Sequence, residues 1–123
     1  MDILEKYESF HDWYLLGVAV DMDKQVVDLQ LIFDNKIDRV RLRFKGATRC
    51  LVDDFLIQNI IYSMEVLSVH ESDAYKQALS RLDRSYPWGK DQPLKKIASI
   101  QATLGAELLV EFESMEAVPE TES

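Results

Sequence analysis

The side chains able to do chemistry in this sequence are few and scattered. Cys50, the single cysteine, stands between Arg49 and Leu51. Neighbouring positive charge lowers a thiol pKa and favours the nucleophilic thiolate, and His11 or His70 would supply the base of a thiol–imidazole pair. No turn of the kind that presents a nucleophile surrounds Cys50, and a free cysteine is commonly a small buried hydrophobe, which is the expectation here. Asp53-Asp54 places two carboxylates side by side. Such a pair can hold a cation or divide acid and base roles; a cap for a short turn or an exposed loop charge is the preferred reading. His11-Asp12 can form a hydrogen-bonded pair that fixes the imidazole tautomer. Its place just ahead of an apolar stretch points instead to Asp12 closing the start of a strand beside a half-buried His11. His11, Asp12 and Asp54 together are the candidate polar site.

Other catalytic signatures are missing from the sequence. The glycines, at 17, 46, 89 and 105, are too dispersed for a phosphate-binding loop or a dinucleotide fingerprint. Neither histidine has another histidine or a cysteine at zinc-finger spacing. The expectation is a protein that is not an enzyme and has no cofactor and no metal.

Composition sets further bounds. The 123 residues, 47% of them hydrophobic, suit one domain with a real core. That domain is expected over residues 1–115, with 116–123, rich in Glu, Thr, Ser and Pro, as a disordered acidic tail. A lone cysteine excludes an internal disulfide framework and fits a reducing compartment. No apolar run reaches the roughly 18–20 residues of a membrane span, and the acidic start Met1-Asp2-Ile3-Leu4-Glu5 lacks a signal-peptide core. A cytoplasmic protein with no membrane association is expected. The net charge of −8 repels phosphate backbones, so no nucleic-acid partner is expected. The same charge would attract a basic protein, or simply keep the chain soluble.

The elements that must position these residues are mainly strands. Asp2 to Ser9 reads as a short helix, with Ile3, Leu4 and Tyr7 at helical spacing. Trp13 to Met22 reads as a strand. The clearest segment follows: Val27, Leu29, Leu31 and Phe33 alternate with other residues up to Asp34-Asn35-Lys36, and Val40, Leu42 and Phe44 alternate with Arg39, Arg41 and Arg43 after it. With Asn35 and Lys36 at the turn, or a longer loop with a bulge in their place, Val27 faces Phe44, Leu29 faces Leu42, Leu31 faces Val40, and Asp28 faces Arg43. A one-residue slip would oppose apolar to charged side chains throughout. Thr48 to Gln58 reads as a packed connection or one helical turn, and Asn59 to Val69 as a strand apolar on both parities, central in its sheet or covered on both faces. Ser72 caps a helix from Asp73 to Arg84 whose apolar stripe is Tyr75, Ala78, Leu79 and Leu82. Lys96 to Leu104 and Glu107 to Glu113 form a second hairpin around Gly105-Ala106. The expectation is an α+β protein: a mainly antiparallel sheet of about six strands and one main helix, in the order β-β-β-β-α-β-β.

Two charged rows follow from the alternation. Arg39, Arg41, Arg43 and Lys45 share one face of a strand, and Glu107, Glu111 and Glu113 share a face of another. Their simplest role is mutual compensation across the sheet; the functional reading is a contact face for a partner. Tyr86 and Trp88, in a loop containing Pro87, Gly89 and Pro93, either pack that loop onto the sheet or, if the chain binds a protein partner, serve as further candidate anchors.

The opening Ser9-Phe10-His11-Asp12, running directly into a strand, resembles the start of a family of bacterial immunity proteins from polymorphic toxin systems, immunity protein type fifty. Leu42-Arg43-Phe44-Lys45-Gly46 and the stretch from Asp54-Phe55 to Asn59-Ile60-Ile61 look like segments of small proteobacterial proteins of similar length. The resemblance implies a non-enzymatic antitoxin that binds and blocks a basic toxin domain. A small-ligand-binding or enzymatic domain is the alternative, and either a monomer or a homodimer fits the sequence.

Overall fold

The computed structural model describes residues 2–87 and 93–120. Among these residues, eight strands form one antiparallel sheet in the order β4-β7-β6-β5-β1-β2-β3-β8: β1 Tyr14–Asp21, β2 Val26–Ile32, β3 Arg39–Lys45, β4 Arg49–Asp53, β5 Ile60–Leu67, β6 Lys96–Leu104, β7 Glu107–Phe112 and β8 Ser114–Glu120. Helix α1 covers Ile3–Lys6 and helix α2 Asp73–Ser85. The α+β class and the antiparallel sheet hold; the strand count and order are corrected.

Both corrections have a common origin. β3 and β4 are joined through 46–48 and pair in turn with the consecutive strands β8 and β7. Arg39–Lys45 faces Glu120–Ser114 and Arg49–Asp53 faces Glu111–Glu107. At the join, Thr48 N–H donates to the Glu111 carbonyl and Glu113 N–H to the Lys45 carbonyl. A two-stranded ribbon thus bends from one end of the sheet to the other, a common way for strands to turn a corner around a core. Residues 49–53 are therefore a strand rather than a helical turn. Residues 116–120, expected to be disordered, are held in β8 because β3 supplies a partner for every position from Ser114 to Glu120. Polar composition failed as a guide there because edge strands need bury only one parity.

The hairpin register is the one that the alternation selects, with Val27↔Phe44, Leu29↔Leu42, Leu31↔Val40 and Asp28↔Arg43. Its turn is longer than two residues. The strands stop at Ile32 and Arg39, and Asn35 Oδ1 accepts from the Ile37 and Asp38 amides while Lys36 takes φ 60°. The inward residues of β2 and β3 meet Leu108, Val110 and Phe112 of β7 and Ala98 and Ile100 of β6 in the main core. Phe44 and Phe112 pack edge to face, with ring centroids 4.9 Å apart.

A second core lies on the outside of the sheet. Ser72 Oγ accepts from the Tyr75 amide and starts α2. Tyr75, Ala78 and Leu82 then bury against Ile97 and Leu109, with Leu51, Leu67 and Leu79 around them. Covering β5, β6 and β7 on both sides explains why these strands carry apolar residues on both parities. At the N-terminus, Tyr7, Phe10, Trp13 and Phe33 form an aromatic chain. Burial of Phe10 and Trp13 fixes a turn whose residues Glu8, Ser9 and Phe10 have φ 51°, 55° and 56°. Each such non-glycine residue costs about 1–2 kcal/mol, offset here by aromatic packing.

Candidate functional site

One loop exposes three consecutive apolar side chains. Phe55 and Leu56 are about half exposed and Ile57 is fully exposed, at 103% of its reference area. This loop leaves β4 through Asp54, which takes φ 61°, and ends at Asn59, which is buried to 2%. The Asn59 carboxamide holds it. Its Oδ1 accepts from the Leu56 amide at 2.9 Å and from the Ala106 amide at 2.9 Å. Its Nδ2 donates to the Leu56 carbonyl at 2.9 Å and to the Leu15 carbonyl at 3.4 Å. One side chain therefore ties together the loop, β1 and the β6–β7 turn. Gly105, at φ 84° in that turn, is needed for the approach: a Cβ there would lie 2.3 Å from Asn59 Oδ1.

Beside the loop runs a groove of about 330 Å³, walled by Tyr14, Leu16, Ile32 and Ile57, with Lys36 and Arg39 at its edge. Leu16 is 47% exposed. Tyr14 Oη donates to Asp34 Oδ1 at 3.3 Å, and burial and that carboxylate hold the phenol above its ordinary pKa. Exposed aliphatic and aromatic groups in a rigid frame, with cations beside them, have the composition of an interaction surface.

The residues singled out from sequence fall in several places. The side chains of His11 and Asp12 are 53% and 59% exposed, so His11 is about half-buried. His11 Nδ1 donates to the Tyr62 carbonyl at 2.6 Å, which leaves Nε2 as the nitrogen facing Asp12 Oδ2 at 3.5 Å. The Asp12 amide donates to the Ile61 carbonyl, so Asp12 does close the start of β1. Asp54 lies in the 54–59 loop and is exposed; it shares no hydrogen bond or ion pair with His11 or Asp12. Asp53 pairs instead with Arg81 of α2.

Arg39, Arg41, Arg43 and Lys45 form a row on the outer face of β3. The acids that compensate it are not those of β7. Arg43 makes two hydrogen bonds to Asp28, at 2.8 and 2.9 Å, and these bonds hold the Asp28 carboxyl below its usual range. Lys45 pairs with Glu116 at 3.2 Å. Arg39 also lines the groove. Glu107, Glu111 and Glu113 are dispersed because the ribbon bend turns β7 toward α2. Glu111 is buried against Arg49, Glu113 pairs with Lys95, and Glu107 accepts from the Ala102 amide. Tyr86 is exposed at 60% and its carbonyl accepts from Arg49 Nη1. Trp88 lies outside the described residues.

Cys50 sits in β4, where burial pushes its thiol up to about 11. That is the reverse of the activation a nucleophile needs. Among the described residues, no three His, Cys, Asp or Glu side chains converge to hold a metal ion. None of the described helices is long and apolar enough to cross a membrane.

Two groups central to this geometry escaped the sequence reading. Asn59 had one usable signal, a carboxamide immediately before an Ile-Ile strand start and a glycine turn elsewhere to receive it. The buried Arg49–Glu111 pair, joined by the exposed Asp83, had none, because only the ribbon bend brings residues 49 and 111 together and only α2 adds residue 83. The chain matches no protein-family model and no curated protein.

Proposed function

We propose that this chain is a non-enzymatic protein-binding module, most concretely an immunity protein that neutralises a cognate toxin by covering its active site. The observation that carries the reading is the clamped loop: Phe55, Leu56 and Ile57 are held in water by a buried carboxamide rather than folded onto the core. Fully burying a side chain of this kind is worth about 1.5–3 kcal/mol. Because Asn59 has already fixed the loop, little ordering entropy opposes that gain on binding. Tyr14 beside it, with Arg39, supplies residue types that dominate binding energy at interfaces. The net charge of −8 favours rapid encounter with a basic toxin domain, and Ser9-Phe10-His11-Asp12 supports the immunity form.

The test is co-expression with the toxin-like domain encoded beside the native gene. The wild-type chain restores growth, and Ile57→Asp, folded by circular dichroism, does not. Growth restored equally by both would contradict the use of this surface. Absence of any toxin-like neighbour would remove the immunity form.

A small-ligand reading is favoured by one observation, the apolar groove of about 330 Å³, near the lower bound of ligand pockets. A metabolite panel that leaves the melting temperature unchanged would argue it away.

A further inference from the structure

Strand β1 is paired on both sides only at its beginning. Its contact with β5 consists of the Tyr14↔Ile60 pair and backbone hydrogen bonds joining Asp12, Trp13 and Leu15 to Asn59 and Ile61. Two features end that contact. A bulge between Leu15 and Gly17 re-aims β1, and the Asn59 clamp directs 54–58 into its own loop. From Gly17 to Asp21, β1 pairs with β2 alone among the described residues. Trp13 C=O and Leu15 N–H face β5. The extra residue of the bulge shifts the alternation by one, so beyond it the amides and carbonyls of Val18 and Val20 face the open side.

β4 is the last strand at its end of the sheet, and its outer edge is likewise unpaired among the described residues. Between the two lies a cleft of about 320 Å³, with Val20 and Met22 on one side and Thr48 and Cys50 on the other. Exposed edges are normally blunted by lysine, proline or inward charge. Gly17-Val18-Ala19-Val20 has none of these, and Val20 and Met22 are 64% and 83% exposed. Acids flank the opening: Asp21 and Asp23 at the end of β1, and Asp54 just after β4.

We propose that the open edge of β1 at Val18–Val20 is a strand-addition site for an extended segment of a partner protein, apolar at alternate positions and basic at its ends. The main chain of Val18 and Val20 supplies the hydrogen bonds, the cleft receives an apolar side chain, and the flanking acids meet the basic ends. The inference rests on the protein-binding reading and names the partner's chemistry.

The test uses the full chain, ¹⁵N-labelled, and the synthetic peptide acetyl-Lys-Val-Thr-Val-Thr-Val-Lys-amide as probe. In the free protein the Val18 and Val20 amides exchange as fast as loop amides, while Ala19, bonded to β2, is protected. Saturating peptide slows both by about tenfold or more, with shifts confined to 17–22 and 48–52. A peptide with glutamates in place of its lysines binds about tenfold more weakly. Val20→Pro removes the outward donor and abolishes binding. Should that variant fail to fold, Val20→Lys repels the basic peptide and weakens its binding. Protection of Val18 and Val20 without peptide overturns the proposal, and protection that grows with protein concentration assigns the edge to a second copy. Shifts centred on Ile57, or no binding, also overturn it. Loss of toxin neutralisation with Ile57→Asp but not with Val20→Pro keeps the protein-binding reading and removes strand addition. Neutralisation unaffected by either variant removes both.

Discussion

Replacing Asn59 by alanine tests whether one carboxamide fixes the exposed loop. The variant loses four hydrogen bonds, two to Leu56, one to Ala106 and one to Leu15. The Leu56 groups lie on an exposed residue and reach water once the clamp is gone. The Ala106 amide belongs to a residue only 3% exposed, and an unsatisfied buried donor costs about 1–3 kcal/mol. Adding about 1 kcal/mol for the remaining bonds gives a loss of roughly 2–4 kcal/mol, close to 10 °C in melting temperature for a chain of this size. Urea unfolding followed by tryptophan fluorescence measures it, with an unchanged m-value expected. Asn59→Asp keeps the acceptors but aims a carboxylate at the Leu15 and Leu56 carbonyls, so it is at least as destabilising. In hydrogen exchange, the Leu56 amide of Asn59→Ala loses its protection while amides of the β2–β3 ladder change only with global stability. A loss below about 0.5 kcal/mol, or a Leu56 amide still protected, would refute the clamp.

Three further outcomes follow from buried charge and burial. Arg49→Met takes the cation from Glu111, which is 4% exposed and keeps the Thr48 hydroxyl, and costs about 3–5 kcal/mol, whereas Arg49→Met with Glu111→Leu recovers most of that loss; chemical denaturation of the two variants distinguishes them. Asp28 has a folded-state pKa below its unfolded value, so the unfolded chain takes up the proton first as pH falls. Its contribution is full above about pH 5 and is lost below about pH 4, and Asp28→Asn flattens that limb of the stability–pH curve. Cys50, with its pKa raised to about 11, keeps its proton in the folded state after the unfolded chain has lost it. Stability therefore falls between about pH 9 and pH 11, and reaction with a disulfide reagent at pH 8 is far slower than in urea; equal rates would contradict the burial.

The parts of the fold legible in the sequence are those set by local period. The β2–β3 register, the α2 stripe and the Ser72 cap each follow from residues close in the chain, because a slip would oppose Asp28 to an apolar residue or expose Leu82. The ribbon bend was not legible. Nothing local says that 46–48 and 113 share a corner, and the bend alone makes residues 49–53 and 116–120 strands. The same non-local event separates the acidic row of β7 from the basic row of β3, so compensation falls to Asp28 and Glu116 instead. In the candidate site, Asp54 and Arg39 were visible as residue types. The exposed Ile57 was not, since an apolar Phe-Leu-Ile run normally signals burial and only the Asn59 clamp holds it in water.

The most direct measurement of the protein-binding account is photo-crosslinking in cells that carry the native gene. Ile57→benzoylphenylalanine is predicted to yield one discrete protein adduct on irradiation, while Lys76→benzoylphenylalanine, on the exposed face of α2, yields none. The same adducts from both positions, or none from position 57, would contradict a binding surface centred on the clamped loop.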